Sequence, residues 1–326
     1  MIRGHGDDAY QYPHITMDFS SNICASGGQQ ALLAHLVGNP QLVGHYPEPE
    51  PWSLERLIAD EEGLDPDEVI VTNGATDAIY LIAQAFPFRA DIPRPTFSEY
   101  EDACSVSPRT DTEHTMIWLC NPNNPTGDVY AQEAICQFLR RYDLVVIDQS
   151  YEYYTNEYIM PASMGVQYPN LIQVHSLTKT YCVPGLRLGY ITAHRTLTEH
   201  LRRFLRPWSV SALSIEAGKF LLSDGFNRRL PDLNEAMRLR DMLQSIDGIM
   251  TYETHTNFIL CQFESDRHTA ARLKYYLAVE HHMLIRDASN FRGLTPRHFR
   301  VAAQTRYEND ALVAAIRQYL EDNSDE

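Results

Sequence analysis

The chain has 326 residues, 44% of them hydrophobic, with 16 glycines and 18 prolines, which is enough for about two domains with a substantial core and unlike a disordered or fibrous protein. A formal net charge of −16 argues against a nucleic-acid-binding surface and draws attention to the few places where cations cluster. Six cysteines lie far apart with no C-x-x-C pair and no Cys/His zinc spacing, so no metal is expected, and no stretch approaches the roughly 20 apolar residues of a membrane span; a reduced, cytoplasmic protein is expected.

Residues 1 to about 30 mix Gly, His, Tyr and Asp and read as an arm of the kind that packs on a neighbouring subunit. His5 stands between Gly4 and Gly6, where backbone freedom suits close approach to a ligand; the alternative is a terminal tail without a role. Prolines at 47, 49 and 51 forbid a helix and predict a stiff extended loop before a helix over 52–62. Tyr46 in that loop is either a phosphate-facing hydroxyl or an aromatic plug. Residues 67–72 read as a strand that Asn73-Gly74-Ala75-Thr76-Asp77 turns directly into an apolar helix over 78–86. Free N–H groups at such a helix start form an anion site, although plain capping by Asn73 or Thr76 accounts for the pattern equally well.

A strand over 115–120 delivers Asn121-Pro122-Asn123-Asn124-Pro125-Thr126-Gly127, whose prolines and glycine hold the asparagines on a rigid loop at the C-terminal edge of a sheet. In open α/β sheets ligands bind at that edge. After a helix over 131–142, the strand 144–147 ends in Asp148-Gln149-Ser150-Tyr151. A carboxylate there is costly to bury without a partner, and a protonated pyridine nitrogen would be one. The strand 171–175 leads into Ser176-Leu177-Thr178-Lys179-Thr180, and Pro184 and Gly185 predict a constrained loop before a strand over 187–192. Arg187 can lower the Lys179 pKa towards that of a reactive amine, and with Ser176 and Thr178 it can grip a phosphate dianion. Taken alone, Ser-x-Thr-Lys more commonly marks a surface lysine after a strand. Helical patterns over 195–205, 209–223 and 227–246 precede a strand over 258–263 and a helix near 269–280; segments 284–287 and 299–303 and a closing helix complete a small α+β unit. There is no repeat or linker, so the domains interdigitate. His281 and His282 are read as surface or packing residues.

Asn-Pro-x-Asn-Pro-Thr-Gly, a strand-end Asp-x-x-Tyr, Ser-x-Thr-Lys with Arg187 eight residues beyond Lys179, and Phe299-Arg300-Val301 follow one another along nearly the whole chain from Tyr46. In order and spacing they resemble the class I/II (fold-type I) aminotransferases, which depend on pyridoxal phosphate (PLP). Two branches are most similar, histidinol-phosphate aminotransferase and threonine-phosphate decarboxylase. Gly4-His5-Gly6-Asp7, Asp18-Phe19-Ser20-Ser21-Asn22 and the run from Ile285 to Leu294 lean toward the decarboxylase.

The resemblance implies an α/β protein of PLP-dependent transferase fold type I. A large domain with a central, mostly parallel, seven-stranded-type sheet between helices would span residues 41–224. A small α+β C-terminal domain would span 225–326, and an arm with part of the small domain would span 1–40. It implies that Lys179 forms the Schiff base with the cofactor and acts as general acid/base, that Asp148 keeps the pyridine nitrogen protonated, and that Asn124 and Tyr151 hydrogen-bond the ring oxygen. Phe97 would stack on the ring, with Tyr100 as alternative. Gly74, Ala75, Thr76, Ser176, Thr178 and Arg187 would hold the cofactor phosphate, joined by Tyr46 from the other subunit of a homodimer with shared active sites. Arg300 would clamp the carboxylate of a small-molecule substrate, and Arg286 and His5 would face its phosphate. No nucleic-acid or membrane partner is implied.

Two departures stand out. Only 27 positions separate Phe97 from Asn124, so a strand or loop of the large domain is expected to be trimmed. The family's frequent Asn-Pro-x-Gly is here Asn22-Ile23-Cys24-Ala25-Ser26-Gly27, which alters the arm at the substrate pocket. The motifs leave two reactions open, transamination of the histidinol-phosphate type and decarboxylation of a phosphorylated amino acid in cobalamin biosynthesis. A non-catalytic ligand-sensing role is a remote alternative, because such chains carry an added DNA-binding domain for which there is neither spare length nor a basic patch here.

Overall fold

Strand segments that are apolar on both faces set the architecture, because parallel strands with buried ends must be covered on both sides. The computed structural model describes residues 8–23, 29–107, 111, 113–223, 228 and 230–323. The strands are β1 (Met17–Asp18), β2 (Val69–Thr72), β3 (Arg89–Asp91), β4 (Thr115–Cys120), β5 (Leu144–Asp148), β6 (Leu171–His175), β7 (Gly189–Ala193), β8 (Ile249–Thr251), β9 (Phe258–Phe263), β10 (Met283–Leu284), β11 (Arg286–Asp287) and β12 (His298–Ala302). The helices are α1 (Gln29–Val37), α2 (Trp52–Glu62), α3 (Ala75–Ala85), α4 (Glu99–Val106), α5 (Gln132–Arg141), α6 (Ala162–Gly165), α7 (Leu177–Thr180), α8 (Arg195–Arg202), α9 (Ala212–Leu221), α10 (Leu233–Gln244), α11 (Ala270–Glu280) and α12 (Arg306–Asp322).

The large sheet runs β2-β7-β6-β5-β4-β3, and only β7 is antiparallel to its neighbours. It therefore has six strands among the described residues, not seven. The shortfall lies where the 27-position spacing pointed, since α4 is followed by β4 with no described strand between them. One face packs Trp118, Val146, Ile172 and Val174 against α3 and α4, and the other packs Ile117, Leu119, Val145 and Ile147 against α5. The C-terminal ends of β2, β4, β5 and β6 share one edge.

A second sheet, β11-β12-β9-β8, is antiparallel throughout, and its core includes Leu239, Leu273, Phe299 and Ile316. The N-terminal segment joins this half of the molecule: β1 pairs in parallel with β10, and the Ala302 N–H donates to the Phe19 carbonyl. Helix α1, within the segment expected as arm and small domain, instead packs Leu32 and Leu36 with Leu54 and Ile215 of the large domain.

Close approach at the β7 start positions α3. A Cβ on Gly189 would lie 2.5 Å from the Ala75 nitrogen and 2.7 Å from the Gly74 carbonyl carbon, both backbone atoms with no freedom to yield. Gly189→Ala is expected to cost about 1–3 kcal/mol through this overpacking. Urea denaturation would show it as a lowered midpoint, and an unchanged midpoint would mean that the α3 start moves freely.

Candidate active site

The strand ends of the large sheet and the β11–β12 pair of the small one enclose a cavity of about 430 Å³. Of the residues singled out in the sequence, Ala75, Thr76, Phe97, Asn124, Asp148, Tyr151, Ser176, Thr178, Lys179, Arg187, Arg286 and Arg300 all line it. Gly74 sits just behind the lining. Tyr46 does not reach the cavity of its own chain; it is 85% exposed and rests on Trp208, with ring centroids 5.4 Å apart. His5 lies outside the described residues.

One corner is built for an anion. Gly74 caps the start of α3 with a φ of +84°, and a Cβ there would lie 2.7 Å from Arg187 Nη2, so the bare backbone lets the guanidinium close on the helix start. Ala75 and Thr76 present the first N–H groups of an 11-residue helix with the positive end of its dipole. Arg187 was expected to open a strand. It instead turns with φ +53° ahead of β7, which begins at Gly189, and its Nη1 donates to the Pro184 carbonyl. Ser176 and Thr178 complete the corner, and Thr178 Oγ1 donates to the Leu188 carbonyl at 3.2 Å. This donor set suits a phosphate dianion.

Asp148, the last residue of β5, is 3% exposed. The Tyr100 hydroxyl donates to its Oδ2 at 2.7 Å and the Ser150 N–H to its Oδ1 at 2.9 Å. Burial raises its pKa, and the bonds from Ser150 and Tyr100 and the charge of His175 pull in the other direction. Burial, reinforced by Asp148, pushes the Tyr100 phenol well up, so it stays a donor. Tyr100 is thus the partner of Asp148, while Phe97, edge-on to it at 5.7 Å, lines the cavity.

Within the asparagine loop the side chains divide their tasks. Asn121 accepts from the Tyr130 N–H and Asn123 bonds Thr96, Thr126 and the Pro95 carbonyl, so both brace the loop. Asn124 alone of the three lines the cavity, where its Oδ1 accepts from Arg300 Nη1.

Lys179 follows β6 on the short helix α7, where a constrained loop was expected. The Tyr154 hydroxyl fixes its carbonyl at 2.9 Å, and its Nζ donates to the Ser21 carbonyl at 2.8 Å. The Tyr151 ring lies 5.7 Å from that nitrogen; burial pushes the Tyr151 phenol up to about 12, so it is protonated at neutral pH.

Arg286 and Arg300 are direct cross-strand partners on β11 and β12, which puts both guanidiniums on one face. They are 7% and 4% exposed. Arg286 Nη2 donates to Asn290 Oδ1 at 2.8 Å, Arg300 Nη2 donates to the Ser20 carbonyl at 2.7 Å, and neither residue makes an ion pair among the described residues. The buried Nε of Arg300 has no acceptor there at all. Burial pulls the Arg300 pKa down to about 10, with Tyr151 opposing and Arg286 adding to the fall. Burial likewise lowers Arg286, against the pull of Asp287 and Asp8.

Sequence reasoning passed over the carbonyls of Ser20 and Ser21, the tie from Tyr100 to Asp148, and Asn290. Nearness in sequence was the available signal, since Tyr100 stands three positions after Phe97 and Asn290 four after Arg286. Among the described residues no three His, Cys, Asp or Glu side chains converge as a metal site, and no helix is long and apolar enough to cross a membrane.

The sequence profile of the family described as Aminotransferase class I and II matches residues 105–316. The crystal structure of an L-threonine-O-3-phosphate decarboxylase from Porphyromonas gingivalis is 36% identical with a TM-score of 0.88, covering 94% of this chain and all 100% of that one. A histidinol-phosphate aminotransferase of Thermoanaerobacter sp. is 30% identical over 85% of each chain. A histidinol-phosphate aminotransferase from Sinorhizobium meliloti, solved in complex with pyridoxal-5'-phosphate, shares the fold at 17% identity and a TM-score of 0.80, over 94% of this chain and 92% of that one. The chain therefore belongs to the class I and II aminotransferases, and is an enzyme of this PLP-dependent family.

Proposed function

We propose that this enzyme removes the carboxylate from a small O-phosphorylated amino acid of the phosphothreonine type. The observation that carries this reading is the Arg286–Arg300 pair. Like charges directly opposed on one sheet face repel, and a buried charge without a counter-charge is costly. A ligand bearing both a carboxylate and a phosphate would answer both cations at once. The 36% identity to a decarboxylase of that substrate class supports the choice.

Bound in the cavity, PLP supplies an aldehyde that Lys179 and then the substrate amine can engage, and a ring that withdraws electrons from the substrate α-carbon. The N–H groups of Ala75 and Thr76, with Ser176, Thr178 and Arg187, would hold its phosphate, and Gly74 leaves Arg187 room to do so. Asp148 would hold the pyridine nitrogen protonated, Asn124 and Tyr151 would bond the ring oxygen, and Phe97 would lie against the ring. Arg300 would grip the carboxylate and Arg286 the phosphate, so that the two guanidiniums together would fix the orientation of the substrate. Lys179 Nζ would then return a proton to the α-carbon.

A second reading, transamination of a phosphorylated amine, is favoured by the 30% identical aminotransferase. In it, Lys179 Nζ would carry the α-proton away. A homodimer with shared sites belongs to either reading: exposed Tyr46, tilted against half-exposed Trp208, would complete the phosphate corner of a neighbouring subunit. A cytoplasmic location accords with five free cysteines among the described residues.

The discriminating assay supplies purified protein and PLP with O-phospho-L-threonine, measuring carbon dioxide, beside histidinol phosphate with 2-oxoglutarate, measuring glutamate. Carbon dioxide alone is expected; glutamate alone would replace the first reading with the second. Lys179→Ala should abolish turnover and shift the bound-cofactor absorbance band while leaving the melting curve in place, and a variant that still turns over would remove Lys179 from the chemistry. Arg300→Lys keeps the charge but loses the planar fork, and should lower kcat/KM on the order of a hundredfold through substrate misplacement. Unchanged kinetics would put the carboxylate clamp elsewhere.

A further inference from the structure

A second buried charge cluster is built from residues that are not themselves in the cavity lining. His175, the last residue of β6, is 1% exposed. Its Nδ1 is 3.0 Å from Glu152 Oε1, its Nε2 is 2.9 Å from Thr192 Oγ1, and its ring lies flat on Tyr190 at 4.5 Å. The Tyr190 hydroxyl donates to Glu62 at the end of α2, 3.1 Å away. Glu152 follows Tyr151 on the chain leaving β5, and His175 directly precedes Ser176 and the turn to Lys179. The contact therefore joins the two strand ends that carry Asp148 and Lys179.

The charged and titratable groups facing His175 are Glu152 after β5, Glu62 of α2 and Asp148 of β5, with Tyr190 of β7 beneath the ring; Tyr153 lies against both glutamates. Burial pushes the His175 pKa down, but the charge and hydrogen bond of Glu152, then Glu62 and Asp148, more than reverse this and raise it above its ordinary 6.5. Asp148 is the cross-strand partner of Val174, so His175 stands one position beyond it on the neighbouring strand, where an imidazolium charge opposes the effect of burial on Asp148.

We propose that His175 is a positioning residue: as an imidazolium paired with Glu152, it ties the end of β6 to the chain leaving β5 and sets a cation beside the cross-strand partner of Asp148, without touching the ligand. This rests on the reading that Asp148 faces the cofactor ring.

The test compares His175→Gln, His175→Arg and Glu152→Gln with the unaltered holoenzyme and with cofactor-free protein. His175→Gln should lower kcat about tenfold with KM within about twofold, and move the acid limb of the kcat–pH profile upward. His175→Arg, which keeps a cation, should recover most of the loss. Cofactor-free protein gives an independent readout. A histidine whose folded pKa is raised stabilises the fold below its unfolded value and loses that contribution as pH rises through the folded value. Melting temperature should therefore fall more steeply above pH 6.5 in the unaltered protein than in His175→Gln.

Equal melting profiles with an unmoved acid limb would overturn the proposal, as would His175→Arg being as impaired as His175→Gln, which would make the role one of volume. Should the His175 variants fail to fold, Glu152→Gln decides. It removes the counter-charge alone, so a lowered kcat with the same shift in pH supports the pair, and an unaltered profile refutes it. A Lys179→Ala variant that stays active would refute the cofactor reading itself, and the melting comparison would still report on His175.

Discussion

A carboxylate held out of water at the tip of an apolar strand is the constraint on which the rest of this structure depends. Asp148 ends a strand buried along its whole length, and a lone charge there would be driven to protonate. The fold surrounds it with groups from separate elements: the Tyr100 hydroxyl of α4 and the Ser150 N–H of the turn beyond donate to it, and His175 follows its cross-strand partner Val174 on the next strand. Tyr100 and His175 are each fixed in turn. Tyr100 stacks on Trp118 of β4, and His175 is held from both nitrogens. The parallel sheet, the helix in front of it and the polar layer behind it all converge on one charge.

The small domain faces the opposite problem. It brings two guanidiniums side by side into the cavity and satisfies them with neutral groups: the Asn290 and Asn124 side chains and the Ser20 carbonyl. Neutral acceptors orient an arginine without cancelling its charge. The cavity therefore carries a surplus of positive potential within a chain whose net charge is −16. The net charge of the chain repels an anionic molecule at long range, while the two guanidiniums attract it into the cavity.

Much of this was legible in the sequence because the chemistry sits in short contiguous strings whose spacing is tied to strand ends. Leu171–His175 and Phe258–Phe263 are strands with the bounds that their apolar runs suggested, and the residues of the Asn124, Asp148 and Lys179 strings line one cavity. What escaped were relations between distant segments. Nothing in the local pattern around Ser20 and Ser21 signals that their carbonyls meet Arg300 and Lys179, because a backbone acceptor leaves no residue-type signature. Tyr100 read as an alternative ring stacker because an aromatic near a ligand has two uses, apolar face and hydroxyl, and only the tertiary structure chooses. Arg187 read as a strand start because its left-handed turn carries no glycine to mark it. Helix α1 was passed over as well: in the sequence Gln29–Val37 directly follows a run of small residues.

The pairing of β1 with β10 has a consequence for how the protein is made. Thr16 and His282 stand 266 positions apart, and the Ala302 bond to Phe19 spans still more of the chain. The large sheet can assemble from segments that leave the ribosome within one another's reach, because its neighbours from β3 to β7 are joined by short crossovers. β1, which leads into Ser20 and Ser21, pairs with β10 in the last quarter of the sequence. The earliest part of the chain thus waits for the latest, and the carbonyls that seat Lys179 and Arg300 are the final pieces of the pocket to arrive. The anion-binding corner, by contrast, draws on residues between Gly74 and Arg187 alone.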